Sequence, residues 1–326
     1  PSVMNFSFAV QQNIGRGTVV DAAYVGSLGR HLLWNRNINE IPLGANFDAA
    51  NADVTTTPRV ALSQAFLRPL IGYNNVTMRD GGSSSNYHSL QVTGNRRFAR
   101  GLQFGASWTW SKALDYNDTD GDTVTTLAPI RAWNYGLAGF DRTHVVKLNW
   151  LWESPKTPWS NIAARTVLNG WQLSGITSFV SGQPLTVGFS QVVATDLTGT
   201  PSISPRIVLT GDPVLPESER TFSRNFRTDV FRLPARGTLG NAAKTIIRGP
   251  GINNWDVAIF KNFPLNERMR FQFRWEMYNI FNHTQFSSLD TAARFDAQGN
   301  QVNTRLGEFT TARDPRIMQF ALRFYW

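Results

Sequence analysis

Few residues in this chain have the type and spacing that catalysis requires. The 326-residue sequence has no cysteine, which excludes disulfides, thiolate metal sites and a cysteine nucleophile. There is no Walker A loop and no GxSxG nucleophile elbow. The histidines show neither an i, i+4 pair nor an HExxH motif, and they are scattered at His31, His88, His144 and His283. We therefore expect no enzymatic activity, no zinc site and no cofactor.

One acidic segment, residues 115–122, has a composition that suggests calcium binding. Aligning Gly121 with the glycine of an EF-hand loop places Tyr116 first and Leu127 last, where carboxylates are needed. An EF-hand is therefore excluded. A looser Ca²⁺ site is the alternative to a solvated, turn-forming loop, and its ligands would be Asp118, Asp120 and Asp122.

Eight charged residues share a sequence context, because each alternates with large apolar residues in a short segment. They are Asp21, Lys147, Glu153, Asp256, Arg270, Arg274, Glu276 and Arg323. A packed core does not accept such charges unpaired, so we predict that they face a water-filled lumen. There Arg270, Arg274 and Glu276 on one strand, next to Arg323, would hold a plug or contact an anionic solute. The alternative is a wall network whose members satisfy one another.

The elements that position these charges are about nine alternating segments. In Leu102–Ser111, for example, Leu102, Phe104, Trp108 and Trp110 share one parity while polar or small residues take the other. Side chains of a strand point to opposite faces in turn, so each segment predicts a strand with one apolar face. Each is long enough to cross a bilayer as a tilted strand of roughly 9 to 11 residues. The other eight lie near residues 4–13, 20–25, 87–97, 146–153, 171–179, 255–259, 268–280 and 319–326.

The connections between these segments alternate between short and long. Short turns are predicted at residues 15–17, 98–101 and 263–267, with a moderate one at 154–167. Long loops rich in Gly, Asn, Asp and Thr are predicted at residues 31–86, 112–140, 185–253 and 282–314. This alternation is typical of an up-and-down barrel with short periplasmic turns and long extracellular loops. No convincing amphipathic helix and no run of roughly 18 apolar residues occurs between the strands.

Composition favours lipid over a soluble core around the apolar faces. Eleven Trp and 22 Phe accompany only 17% charged residues, and about nine aromatic-rich faces would overfill a small closed barrel. The net charge of +9 is spread through every segment rather than collected in a run, so we expect no nucleic-acid partner. A soluble β-sandwich or β-barrel that serves as a binding module is the alternative. We predict an all-β, antiparallel transmembrane barrel in the cell outer membrane, with outer-membrane lipid around it.

The predicted strand number indicates an incomplete barrel. Bacterial single-chain barrels have an even number of strands, and an open edge in hydrocarbon leaves backbone groups unpaired. The chain begins at Pro1 with no signal peptide, so we expect a fragment or a processed chain. We expect the strand ending at Trp326 to be an exposed edge, or to pair with the strand at residues 4–13.

Seven segments resemble the Oar-like TonB-dependent transporters, a family whose members carry a carboxypeptidase-regulatory-like domain. They are TVVDAAYVGSLGRHL (18–32), NYHSLQVT (86–93), RFARGLQFGASWTWSK (97–112), NGWQLSGITSF (169–179), RGPGINNWDVAIFKNF (248–263), NIFNHTQF (279–286) and RDPR (313–316). The resemblance covers nearly the whole chain, in order. Two departures are Trp326, where Phe is usual, and Thr284, where Pro is frequent.

The resemblance implies what the whole protein would be. Residues 1–326 would form the C-terminal part, about 9 to 10 strands, of a 22-stranded barrel, with the plug and the N-terminal regulatory-like domain absent. The function implied is transport of a bulky solute or peptide, with the TonB complex as a partner through the absent plug region. A passive porin or an adhesive surface barrel is the alternative. The last strand would be read by the barrel-assembly machinery through Phe320, Leu322, Phe324 and Trp326.

Overall fold

The structure, a computed structural model that describes residues 1–326, is all-β with a few short helices. Its strands are β1 (Ser2–Gly15), β2 (Thr18–Asn37), β3 (Thr77–Ala99), β4 (Leu102–Asp115), β5 (Gly136–Leu137), β6 (His144–Glu153), β7 (Trp171–Val180), β8 (Pro184–Leu185), β9 (Gly188–Gln191), β10 (Val208–Leu209), β11 (Phe231–Arg232), β12 (Ile247–Arg248), β13 (Ile252–Pro264), β14 (Arg270–Tyr278), β15 (Phe286–Leu289), β16 (Ala292–Phe295), β17 (Phe309–Ala312) and β18 (Ile317–Tyr325). Its α-helices are α1 (Gln64–Leu67), α2 (Ile130–Asn134) and α3 (Ile162–Leu168), and 3₁₀ turns lie at Ala45–Phe47, Ala49–Asn51 and Glu217–Glu219. None of these helices has the length and apolar character needed to cross a membrane.

Nine long strands form one antiparallel sheet in the order β1-β2-β3-β4-β6-β7-β13-β14-β18, with the short β5 added beside β4. Every strand that the alternation predicts is present in this sheet. The sheet is open rather than closed. β1 pairs only with β2, and β18 pairs only with β14, so these two strands are its edges.

The cross-strand register places the predicted apolar residues on one face. Phe8, Tyr24, Leu90 and Trp110 lie opposite one another on four successive strands. Further along the sheet, Trp275 of β14 stacks on Phe320 of β18, with ring centroids 5.6 Å apart. Neighbouring aromatic side chains on one face are the pairs that stabilise a sheet. We call this surface the apolar face and the opposite surface the polar face.

Two of the short turns have the backbone conformation of tight hairpins. The connection between β1 and β2 is Arg16-Gly17, with φ of 53° and 73°. Between β3 and β4 it is Arg100-Gly101, with φ of 53° and 78°. Positive φ at both central residues is what a type I′ turn requires, and glycine adopts it without steric cost. The moderate connection, residues 154–170, contains the seven-residue helix α3, which the alternation does not predict.

The strands β2 and β3 extend further toward the first long loop than the sequence predicts. β2 continues to Asn37 and β3 begins at Thr77, so the first long loop spans residues 38–76 rather than 31–86. In this stretch Arg79 and Asp80 of β3 pair with Asn35 and Trp34 of β2. The end of β2 and the start of β3 do not alternate large apolar with polar residues, so the alternation that predicts the other strands does not reveal these extensions.

The long loops are folded, which their composition does not predict. We number them loop 1 (38–76), loop 2 (116–143), loop 3 (181–251) and loop 4 (279–316). The largest buried core of the molecule lies here, with seven residues from loop 3 and three from loop 4. Among them Phe226, Phe231 and Phe295 are at most 2% exposed. The hydrophobic core therefore lies over one end of the sheet, and we call loops 1 to 4 together the loop layer.

Backbone pairing joins loops 3 and 4 directly. β9 of loop 3 and β16 of loop 4 run parallel, with Gly188 opposite Ala292 and Gln191 opposite Phe295. Phe189 packs edge-on against Phe295, with centroids 5.9 Å apart. Two segments about a hundred residues apart in sequence therefore form one small unit.

Candidate functional site

The polar face carries all eight of the predicted lumen charges. The clearest row crosses seven strands, and its members are Gln11, Asp21, Thr93, Ser107, Lys147, Ser178 and Asn254. Within it Lys147 donates a hydrogen bond to Ser178 Oγ, with Nζ 2.7 Å from the oxygen. Glu153, Asp256, Arg270, Arg274, Glu276 and Arg323 occupy the same parity on β6, β13, β14 and β18. The register therefore places all eight charges on one face of the sheet, whereas their position in a lumen and their individual roles stay a prediction.

A basic cluster lies at the short-turn end of the polar face, formed by Arg270, Arg274 and Arg323. Arg274 donates to Gln272 Oε1 at 2.6 Å and to the Tyr325 hydroxyl at 3.3 Å. The guanidinium of Arg270 stacks over the Tyr325 ring, 4.6 Å from its centroid. None of the molecule's six ion pairs includes a member of this cluster. Neutral and aromatic neighbours hold the arginines in place, so the positive charge is oriented but not neutralised.

Glu276 does not pair with these arginines as a self-satisfied wall network would require. Its cross-strand neighbours are Ala258 on β13 and Gln319 on β18. Arg274 instead lies between Phe260 and Ala321. The basic cluster and Glu276 therefore present separate charges to the polar face.

The loop-layer end of the polar face is organised around Asp256. Its carboxylate accepts hydrogen bonds from Asn254 Nδ2 at 2.9 Å and from the backbone N–H of Asn279 at 3.0 Å. Gln285 of loop 4 donates to Asn254 Oδ1 at 3.0 Å and accepts from the backbone N–H of Asn253. These contacts tie the base of loop 4 to the wall. A cavity of about 730 Å³ lies beside them, lined by residues that include Lys147, Asp256, Arg313 and Asp314.

The acidic segment of loop 2 does not bring its three carboxylates together, and no group of metal-ligating side chains occurs in the structure. Asp122 accepts hydrogen bonds from the backbone N–H groups of Asp118 and Thr119, both at 3.0 Å. Asp118 points instead to the backbone N–H of Gly139 and to Lys244. Side-chain to backbone hydrogen bonds of this kind are typical of a turn. The calcium hypothesis gains no support from this geometry.

Ion pairs join loop 3 to the end of β4 and to loop 2, and the sequence analysis did not identify them. Lys244 Nζ lies 2.7 Å from Asp115 Oδ1 and 3.3 Å from Asp118 Oδ1. Arg248 lies 2.6 Å from Asp141 Oδ2, whose side chain is 1% exposed. The partners are 107 to 129 residues apart in sequence, so no local spacing could have revealed them.

Aromatic contacts add further links within the loop layer. The guanidinium of Arg206 in loop 3 lies 4.1 Å from the ring centroid of Trp133 in loop 2, and burial lowers its pKa. Arg236 lies 4.0 Å over the Phe47 ring of loop 1. In loop 1, Ile41 donates its N–H to Ser202 Oγ of loop 3 and accepts from Thr200 Oγ1. All four loops are thus connected into one layer above the polar face.

The four histidines remain apart. His88 Nδ1 lies 2.7 Å from the Tyr24 hydroxyl, and His144 Nδ1 lies 3.2 Å from Trp108 Nε1. Both contacts are on the apolar face, where an aromatic and imidazole layer suits a membrane interface. His31 and His283 belong to neither contact.

The predicted assembly residues form the apolar side of the edge strand β18. Phe320, Leu322 and Trp326 are 61%, 68% and 88% exposed. Phe324 stacks between Phe271 and Trp326, with centroids 4.9 and 5.9 Å away. Their large exposed area is continuous with the apolar face, and a role in assembly stays a prediction.

Comparison with known proteins places the chain among membrane barrels. A family model described as outer membrane beta barrel domain matches residues 1–319. Similar solved structures include the outer membrane transporter YddB from Escherichia coli (8% identity, TM-score 0.48), the FrpB iron transporter from Neisseria meningitidis (12%, 0.40) and the ferric citrate transporter FecA (11%, 0.39).

Each of these alignments covers 99% of this chain but only 31 to 32% of the transporter, so the chain spans about a third of their length. No curated protein sequence matches the chain. The family match covers residues 1–319, so the chain is part of an outer-membrane barrel protein. In such a barrel the apolar face is the surface that contacts lipid. The chain belongs to the outer membrane beta barrel domain family.

Proposed function

We propose that this chain is part of the wall of a TonB-dependent outer-membrane transporter that moves a bulky solute or peptide without covalent chemistry. The observation that carries the proposal is an open nine-stranded wall whose polar face is covered at one end by a folded loop layer. Unpaired edge groups in hydrocarbon cost several kcal/mol each, so further strands must complete β1 and β18. A barrel that wide needs a plug if it is not a simple pore. The Oar-like resemblance supplies both the plug and the 22-strand number.

The basic cluster supports an element inside the barrel rather than an empty channel. Arg270, Arg274 and Arg323 face the lumen without ion-pair partners in this chain, near the end where the turns are short. The three arginines are held by stacking and by hydrogen bonds to neutral groups, so their positive charge is complementary to an acidic surface that docks against them. We propose that the plug supplies this surface.

Bilayer conductance distinguishes a plugged transporter from a passive porin. We expect the full-length protein, reconstituted in a planar bilayer with KCl, to show no steady conductance until urea unfolds the plug. Uptake of a fluorescent oligopeptide mixture by intact cells should stop when the proton-motive force is collapsed. A steady open-pore conductance without urea, with uptake indifferent to the proton-motive force, would establish a porin instead. The upstream coding sequence provides an independent check, because it should encode a plug and a TonB box.

A further inference from the structure

The connection between β6 and β7 folds back onto the lipid-facing side of the wall. Lys261 of β13 donates from Nζ to the backbone oxygen of Val167, 3.0 Å away, and to that of Asn169. Trp171 of β7 donates from Nε1 to the same Val167 oxygen at 2.8 Å. Lys261 and Trp171 lie opposite each other in the register and share the parity of the apolar face. Helix α3 is therefore attached outside the barrel wall, at the end where the turns are short.

The Lys261 ammonium is a charge on the lipid-facing side of the wall, and its surroundings keep it away from lipid. Lys261 is only 3% exposed, and its Nζ lies 4.8 Å from the Trp171 ring centroid and 5.4 Å from that of Phe263. The C-terminal carbonyl groups of a helix carry partial negative charge and lack partners within the helix. Lys261 provides those partners while the carbonyl groups satisfy the ammonium.

The outward surface of this connection is apolar and basic. Trp159, Ile162 and Val167 are 60%, 79% and 63% exposed, and no part of the chain covers them. Lys156 and Arg165 are also exposed, and residues 154–170 include no Asp or Glu. A Trp-containing apolar segment with basic residues, placed where membrane-spanning strands end, has the composition of an interfacial anchor.

We infer that residues 154–170 bind an anionic phospholipid leaflet. Trp159, Ile162 and Val167 insert among the acyl chains, and Lys156 and Arg165 contact the phosphate groups. The position outside the wall favours lipid over a plug, and the uniform positive charge favours anionic lipid over a basic protein surface. If short turns are periplasmic, this leaflet is the inner one of the outer membrane.

Depth-dependent quenching tests this inference directly. Residues 1–326 have no cysteine, so in the full-length protein, with any cysteine outside this range changed to serine, Ile162→Cys is the single labelling site for an environment-sensitive fluorophore. We expect quenching by a spin label on lipid acyl chains and protection from aqueous iodide, in vesicles of phosphatidylethanolamine and phosphatidylglycerol. Glu267→Cys, in the β13–β14 turn at the same end, is the matched control and should show the opposite pattern. Equal iodide quenching at both positions would overturn the inference, as would protection of Ile162→Cys from both quenchers, which would indicate a protein partner.

The charge requirement is tested by lipid composition. Each basic residue near an anionic surface strengthens attraction about fivefold. Removing phosphatidylglycerol should therefore shift the Ile162→Cys label toward water, and the double change Lys156→Gln and Arg165→Gln should abolish that dependence. Identical quenching with and without phosphatidylglycerol would contradict an anionic-lipid site. This readout is independent of conductance and uptake, so its failure leaves the transport proposal untouched.

Discussion

At the scale of single residues, the molecule places its charges according to their surroundings. On the polar face, Arg274 is half-buried and is held by a glutamine and a tyrosine hydroxyl, without an ion-pair partner. At the loop-layer end of β4, Asp115 is buried and pairs with Lys244 of loop 3. A buried charge that loses its partner is far more costly than an exposed one, so substitutions of similar chemistry should differ sharply between the two settings.

Replacing Lys244 should weaken the loop layer. Lys244→Met leaves the Asp115 carboxylate, 6% exposed, without its cation, and we expect a local loss of about 3 kcal/mol. Faster amide hydrogen exchange in loops 2 and 3 is the measurement. Arg305→Met removes the exposed pair with Glu308 and should leave amide exchange in loops 2 and 3 nearly unchanged. Equal effects of the two variants would show that the Lys244 pair is not structurally important.

The Asp296 turn should lose order in acid. Hydrogen bonds from the backbone N–H and the side chain of Asn300 hold the Asp296 pKa below its usual 3.8. Because the folded-state pKa is lowered, the stabilisation is complete above the unfolded value of 3.8 and is lost as pH falls through the lower folded value. An NMR titration should give a lower midpoint in the folded protein than in a peptide of residues 293–302. Asn300→Ala removes only the side-chain hydrogen bond and keeps the backbone N–H, so it should raise the midpoint part of the way toward that of the peptide. Equal midpoints in the folded wild-type protein and the peptide would refute the assignment.

At the scale of elements, the sequence predicts the wall and misses the layer above it. The strand from Leu102 alternates large apolar with polar or small residues because lipid and water meet its two faces, and that period survives in the sequence. Phe189 and Phe295 meet across more than a hundred residues, in strands of four residues that are too short to show a period. The polar row from Asp21 to Lys147 could be predicted, whereas the Lys244 and Arg248 pairs could not, because they depend on how the loops fold together.

A single core substitution should loosen two loops at once. Phe295→Ala removes a fully buried ring that packs on Phe189, at a cost of about 3 to 5 kcal/mol. We expect faster amide exchange in β9 and in β16, while β13 and β14 in the membrane keep their protection. Phe66→Ala, at a 62% exposed position of loop 1, is the control and should leave both unchanged. Loosening confined to loop 4 would mean that the loops fold independently.

At the scale of the whole molecule, the wall carries a lipid face, a charged lumen face and a folded layer at one end. Arg270 begins β14 next to a short turn, whereas Asp256 lies beside the loop layer, so the two ends of the polar face present different side chains.

Charge reversal in the basic cluster should open the full-length barrel. With Arg270→Glu and Arg274→Glu together, repulsion of an acidic plug surface should release the plug, and steady conductance in KCl should appear without urea. Arg268→Glu, an exposed change in the adjacent turn, is the matched control and should leave the barrel closed. Unchanged closure and unchanged peptide uptake in the double variant would contradict a role for these arginines.

The two unpaired edge strands have a consequence for any preparation of this chain by itself. All 14 residues of β1 are exposed, and β18 presents its outer backbone groups along nine residues. A long exposed edge is a template for strand addition, and here the two edges belong to the same sheet. Copies of the chain in mild detergent should therefore add to one another edge to edge and produce a ladder of oligomers that grows with protein concentration. The unpaired edges that let this segment pair with adjacent strands in a barrel thus cause it to self-associate when it is isolated.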